Sequence, residues 1–241
     1  MFKHQGKTRR PEHNIRIASL LSFVAGMVNV VGFLSVQRLT TNVTGHFAVF
    51  VDEVFKLDFK QAFYFLLYTF FFFLGSFVSN FMVEIISRKN VKFVYAIPTI
   101  VESAILLFVA LAGPFLVDSN PDVLAFCLLF AMGLQNSFVT KISNSVVRTT
   151  HLTGLFTDLG IELSQLFFYK QKDQRKKLFS SIKLRLLIIN FFFVGGVLGG
   201  VLYTSMQLHV LIIAAVMLLL GIMFNSFKLR YIRLKRRITK R

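Results

Sequence analysis

The sequence predicts an all-helical integral membrane protein, with about six transmembrane helices in two inverted three-helix repeats and a re-entrant or broken short helix in each. Three observations predict it. The apolar residues, 55% of 241, are gathered into blocks of membrane-spanning length, and only 16% of residues are charged against roughly 25% in an ordinary soluble domain. Lys and Arg are confined to the gaps between those blocks. A six-residue motif that breaks the apolar pattern recurs once in each half of the chain.

The elements follow in order. A basic segment, 1–16, precedes an apolar block, 17–36, that is longer than a signal-peptide core and has no obvious cleavage site, so it is expected to remain as the first helix. Blocks at 61–86, 93–117, 123–139, 186–205 and 208–227 supply five more crossings at about 20 residues each. The fourth block is short and holds Gln135 and Asn136, but Asp122 and Lys141 bracket a plausible span. Segments 46–56 and 154–169 are apolar but interrupted by Asp52 and Glu53 in one and Asp158 and Glu162 in the other. At about 1.5 Å per residue the first covers about 16 Å, half of a hydrocarbon core, so both are expected to dip in and return. The chain therefore divides into a tail 1–16, membrane repeats 17–117 and 118–227, and a tail 228–241.

Charge sets the orientation. With the N-terminus inside, 25 of the 28 Lys and Arg fall on the cytoplasmic side, and only Arg38, Lys56 and Lys60 stay outside. An eight-span threading, with both short segments crossing, moves Arg88, Lys89 and Lys92 outside and fits less well. Both termini are thus expected in the cytoplasm. The net charge of +17 reports topology rather than nucleic acid, because the basic residues are not interleaved with stacking residues on a soluble fold. The expected partners are the lipid bilayer and a small solute of unassigned identity, with a homo-oligomer left open. The tail from Lys228 to Arg241 is expected to contact anionic lipid. The single Cys127 lies in an apolar block, which excludes an intrachain disulfide or a thiolate cluster.

The break motif reads Thr40-Thr41-Asn42-Val43-Thr44-Gly45 in the first half and Thr149-Thr150-His151-Leu152-Thr153-Gly154 in the second, with Arg38 and Arg148 just upstream. Gly26 and Asn29 match Gly133 and Asn136 at the same spacing, on one helical face. Gly75 and Ser79 match Gly196 and Gly200 at the spacing that lets helices approach closely in lipid. Three crossings per half is an odd number, so the second half enters the membrane inverted. In such an arrangement the broken helices meet near the midplane, where a half-helix N-terminus offers free N–H groups and partial positive charge. Thr44 and Thr153 are expected to cap the short helices, and Gly45 and Gly154 to allow close approach of a neighbouring element or a ligand.

The residues from Ala25 to Gly45, with Gly32-Phe33-Leu34, and the pair of runs Gly133-Leu134-Gln135-Asn136 and Val147 to Gly154 with Asp158-Leu159-Gly160, resemble the YoaK family of bacterial membrane proteins. The resemblance extends over roughly 17–227 and implies a multi-pass protein of the bacterial inner or plasma membrane, of unknown function. The chain departs from that pattern at Asn29, where the family implies an acidic residue, and at His46, where it implies Asn.

Several residues carry two readings. The breaks, with Thr41 and Thr150, either line a solute pathway or only shape a hairpin. Arg38 and Arg148 either attract anions at a constriction or reach headgroups. Asp158 and Glu162 share one helical face and either hold a proton or cation or are solvated; Arg148 would reach Asp158 if the break folds back. Glu102 lies deep in its block, four residues after Pro98, where an ionised carboxylate without a partner is costly, so it should face the interior. It is either a proton or substrate carboxylate beside a proline-loosened helix or a protonated acid bonded to an Asn or a carbonyl. Asn29, Asn136 and Asn190 are expected to bond across helices.

No catalytic motif, metal-ligand spacing or phosphate-cradling loop occurs, and His46 with His151 makes only an incomplete ligand set, so neither an enzyme nor a metal or cofactor is expected. The sequence points to a channel or transporter for a small, preferably anionic, solute at the paired breaks. A proton- or cation-coupled carrier and a nontransporting scaffold or sensor are the alternatives.

Overall fold

A computed structural model describes residues 11–89, 94–143 and 145–223. The expected tail 228–241 and most of 1–16 lie outside the described residues. The chain is all-α: α1 (Pro11–Val36), α2 (Val43–Phe55), α3 (Phe59–Lys89), α4 (Ala96–Leu116), α5 (Pro121–Ser143), α6 (Leu152–Phe168) and α7 (Lys172–Met206), then a 3-10 turn (Gln207–His209) and α8 over 210–223. Among the described residues five helical stretches are long and apolar enough to cross a membrane, and the last of them, Lys172–Met223, is interrupted by that turn. The helix starting at Lys172 is longer than the expected 186–205, because the basic segment before the apolar block is helical too.

The outer faces are apolar. Phe63, Phe70, Phe73, Phe77 and Phe81 stand exposed along α3, and Phe156, Phe167 and Phe168 along α6. A soluble monomer does not leave so much contiguous apolar surface in water, whereas in lipid that surface is at its preferred solvent. The lipid bilayer is thus the partner of this face.

α1 and α5 form the buried centre. They run antiparallel: the Gln135 amide donates to the Leu21 carbonyl (3.0 Å), while Gly32 lies beside Leu128. α1 then packs along α7 and α3 along α5, each pair running in the same direction. Phe23 meets Gly195 and Met27 meets Gly199; on the other side Phe71 stacks on Phe126 at 4.6 Å, Gly75 meets Phe130 and Lys141 reaches Glu84 at 2.9 Å.

Glycine makes both approaches possible. A methyl group on Gly26 would overlap the Phe192 carbonyl, and one on Gly133 the Phe72 carbonyl; the converse contacts are Gly195 on Phe23 and Gly75 on Phe130. Gly195 and Gly199 also lie against α1 backbone, at Phe23 and Met27, beside the expected Gly196, which faces the Gly26 backbone. A methyl on Gly196 would meet the Val30 side chain at 3.1 Å and the Gly26 carbonyl at 3.6 Å, whereas one on the expected Gly200 would meet only the Val30 side chain, at 3.4 Å.

Two expectations about local shape are corrected. Pro98 falls in the first turn of α4, where its missing N–H costs nothing, so it does not loosen the helix; the interior proline is Pro114. Asn190 bonds the Leu186 carbonyl of its own helix (2.8 Å) and is exposed, so it makes no interhelical link.

Candidate functional site

The first break begins where Gln37, at φ 54°, ends α1 in a left-handed conformation. The chain then turns back along α1. The Thr40 methyl seats on Gly32, and Thr41 donates to Asn29 Oδ1 at 2.8 Å, two helical turns before the end of α1. Asn42 caps α2 by accepting from the Gly45 N–H at 3.0 Å. The cap is thus two residues earlier than expected, and Thr44 is exposed.

The second break repeats this path at the other end of α5. Ser145 at φ 62° takes the chain out of the helix, and the Ser143 hydroxyl accepts from the Val147 N–H at 3.0 Å. Thr149 is fully buried and accepts from Gln135 Nε2 at 3.1 Å, while Asn136 Nδ2 donates to Thr150 Oγ1. His151 is the N-cap of α6, not Thr153, and its side chain makes no capping bond. Thr153 is exposed and uses its carbonyl to accept from the Thr157 hydroxyl (3.0 Å).

The surroundings of the two breaks differ. Beside the first, Arg38 Nε donates to Tyr68 Oη at 3.1 Å with its guanidinium 5.1 Å from the Phe65 ring centre, and the Tyr68 hydroxyl donates to Asp122. His46 fills the remaining space: its ring lies 5.2 Å from that of Tyr68, and Nε2 donates to the Leu39 carbonyl at 2.7 Å. At the tip of α2, Lys56 is held by Asp52 at 2.5 Å and Glu53 at 3.1 Å, and these bonds raise its pKa above the ordinary lysine value.

Beside the second break there is instead a cavity of about 440 Å³. Arg148, His151, Gly154, Asp158, Ser181 and Arg185 line it. Arg185 of α7 bridges Asp158 (2.8 Å) and Glu162 (2.9 Å), and Ser181 donates to Glu162 at 2.6 Å. The expected Arg148–Asp158 pair is corrected: Arg185 takes the carboxylate, because α7 runs back along α6 and brings its side chain there first. Among the described residues no carboxylate forms a salt bridge with Arg148, which is exposed in the cavity. A shallower groove of about 600 Å³ between α3 and α5 carries Asn136 and meets the cavity at Ser145.

The structure does not bring Arg38 and Arg148, or His46 and His151, together. Arg38 stands at the Asp122 end of α5 and Arg148 beyond its Ser143 end, a helix length of about 35 Å by the residue count. Among the described residues no group of three His, Cys, Asp or Glu side chains could hold a metal ion. Glu102 is fully buried, and among the described residues neither carboxylate oxygen has a hydrogen-bond partner; the expected Asn or carbonyl is not bonded to it.

Sequence reasoning did not find Arg185, Tyr68 or Asp122 as site residues. Arg185 is one of nine basic residues in its linker, and its one distinguishing mark is that it abuts the apolar block at 186. Tyr68 is a phenol within a phenylalanine-rich run, and Asp122 reads as a helix flank.

Comparison with known proteins adds a family. The family model described as protein of unknown function (DUF1275) matches residues 17–224. The chain is 26% identical over 213 residues to the UPF0700 transmembrane protein YoaK of Bacillus subtilis (strain 168), covering 87% of this chain and 92% of that protein. No solved structure matches.

Proposed function

We propose, for a chain that belongs to the DUF1275 family of proteins of unknown function, that it crosses the membrane six times as two inverted three-helix repeats and carries a small anion by way of the second break. The antiparallel course of α1 and α5, the first helix of each half, supports inversion. So does the correspondence of Gly26 on Phe192 with Gly133 on Phe72. In this reading the extended segments 37–42 and 146–151 dip from opposite membrane faces and α2 and α6 return to them. Both termini then lie in the cytoplasm, and the cavity at the second break opens inward.

The observation that carries the anion reading is Arg148, which no carboxylate among the described residues pairs, in a cavity that also receives the N-terminus of α6, without a side-chain cap. Gly154 makes room there for the His151 ring, with which a methyl would collide, and that ring makes no capping bond to the helix. At the first break the corresponding space is filled by His46, Phe65, Tyr68 and Arg38. That contrast favours a carrier closed on the outer side and open on the inner, rather than a continuous channel.

Purified protein in liposomes with a chloride, nitrate, phosphate or acetate gradient tests the reading. The expected result is a diffusion potential or exchange flux of anionic sign, reduced about tenfold by Arg148→Gln, the loss of roughly 1.4 kcal/mol of binding. Cation-selective flux, or none with any of the four anions, overturns it.

A further inference from the structure

Among the described residues one acid is fully buried, Glu102, and it is placed to speak to the cavity. Glu102 and Gly113 are three helical turns apart on one face of α4, and Leu124 and Gln135 are likewise three turns apart on one face of α5. Gly113 lies beside Leu124, and counting three turns back along α4 and three forward along α5 from that contact pairs Glu102 with Gln135 in the antiparallel hairpin. Both residues are fully buried. Both Glu102 oxygens and Gln135 Oε1 lack a hydrogen-bond partner.

The donor inventory is decisive here. The Gln135 amide has two N–H bonds, and both are used, one on the Leu21 carbonyl and one on Thr149 of the second break. The Leu21 carbonyl can only accept, which fixes which end of the amide is nitrogen. An ionised Glu102 is acceptor-only and can be satisfied from this amide only by drawing an N–H away from Thr149 or Leu21. One added proton reverses the situation: the neutral acid donates its O–H to Gln135 Oε1, and both orphaned groups are satisfied with the break still tied. The Thr99 and Ser103 hydroxyls do not compete, since they donate to the Tyr95 and Thr99 carbonyls within α4.

We propose that Glu102 is a reversible proton-binding site whose loading is reported to the second break through Gln135 and Thr149. The carboxylate takes one proton from water and no other covalent bond changes. The tied break corresponds to the loaded acid and the released break to the ionised one. Other ionisable groups on the elements packed against α4 do not serve this role. On α5, Asp122 is bonded to Tyr68 and Lys141 to Glu84, and Cys127 lies two turns from Gln135. On α3, Lys60 and Tyr64 are near one end and Arg88 near the other. His209 sits in the turn that meets the Gly113 end of α4. The described part of α8 carries no ionisable side chain.

The proposal rests on the carrier reading for its consequence, proton-coupled anion movement, but its site is testable alone. Infrared difference spectra of the intact protein, taken while pH is stepped, should show a deuterium-sensitive carboxylic C=O band that Glu102→Gln removes and Gln135→Leu moves in frequency and midpoint. In liposomes, Glu102→Gln should keep chloride exchange and lose at least about tenfold of its response to an imposed pH gradient. A band that titrates without flux of any anion leaves the proton site standing and defeats the carrier reading. Flux whose pH response is unchanged by Glu102→Gln, or spectra with no band assignable to Glu102, overturn the proposal while leaving the carrier reading in place.

Discussion

Gly133 of α5 lies directly against the Phe72 carbonyl of α3, with no room for a methyl group between them. The opposing atom is backbone, so a larger side chain can be accommodated only by moving a helix. Gly133→Ala is therefore expected to lower stability by about 1–3 kcal/mol, toward the upper end of that range. Gly160→Ala on the exposed face of α6, where nothing lies within 4 Å of the added carbon, is expected to gain up to about 1 kcal/mol from helix propensity. Thermal unfolding of both variants in the same detergent checks the pair; equal midpoints would mean that the helices do not pack on this glycine.

Tyr68 is the middle of a chain from Arg38 to Asp122 that closes the first break. Tyr68→Phe keeps the ring between His46 and Phe126 and removes both hydrogen bonds. A cost of about 1–3 kcal/mol is expected, since the lost bonds are to charged groups. The unfolding midpoint measures it. If this contact also holds the outer side shut, a cysteine at Thr41 becomes accessible to external thiol reagent in Tyr68→Phe and not in the parent; unchanged protection would count against an outer closure.

The topology has a direct test on a Cys127→Ser background. Ser119 is exposed in the turn between α4 and α5, and Lys56 in the turn between α2 and α3. Cysteines at both positions are expected to react from outside only, and one at Lys172 from inside only. Eight crossings would instead place 56 and 119 inside, so labelling of either from the cytoplasmic face overturns the inverted arrangement.

What the sequence made legible was what depends on one chain segment at a time. Block length located the candidate spans 17–36, 61–86, 93–117 and 123–139 to within a few residues because a bilayer imposes a minimum apolar length, though not the early start of α7 at Lys172, and the Thr-Gly motifs located both breaks because leaving a helix needs turn chemistry. The failures concern pairs. Nothing in the order of residues says that α7 returns along α6 with Arg185 beside Asp158, or that Gly195 and Gly199 meet α1 backbone where Gly200 meets only the Val30 side chain, since two overlapping small-xxx-small pairs run through 195–200. Thr44 and Thr153 were favoured as caps by composition, yet Asn42 is a better acceptor already positioned three residues before the N–H it serves. Glu102 was legible as buried; its relation to Gln135 required the α4–α5 register.

The last prediction concerns the two acids at the cavity of the second break, which the structure separates in exposure. Glu162 is the more enclosed, at 14% side-chain exposure, and is held by Arg185 and Ser181, whereas Asp158 is 50% exposed and faces the cavity. Glu162→Gln strips the partly buried Arg185 of its main partner and is expected to cost about 2 kcal/mol of stability. Asp158→Asn leaves that bond in place and is expected to cost under about 1 kcal/mol, as for an exposed pair. Its effect belongs to the site: with one negative charge removed beside Arg148, an anion in the cavity gains about 1 kcal/mol, or about fivefold in affinity. Asp52→Asn removes an equally exposed carboxylate at the tip of α2 and is expected to change neither quantity. Concentration dependence of anion flux in liposomes, read beside unfolding midpoints, separates these outcomes. A weaker anion affinity in Asp158→Asn would mean that the cavity selects cations, and the anionic reading of the second break would have to be given up.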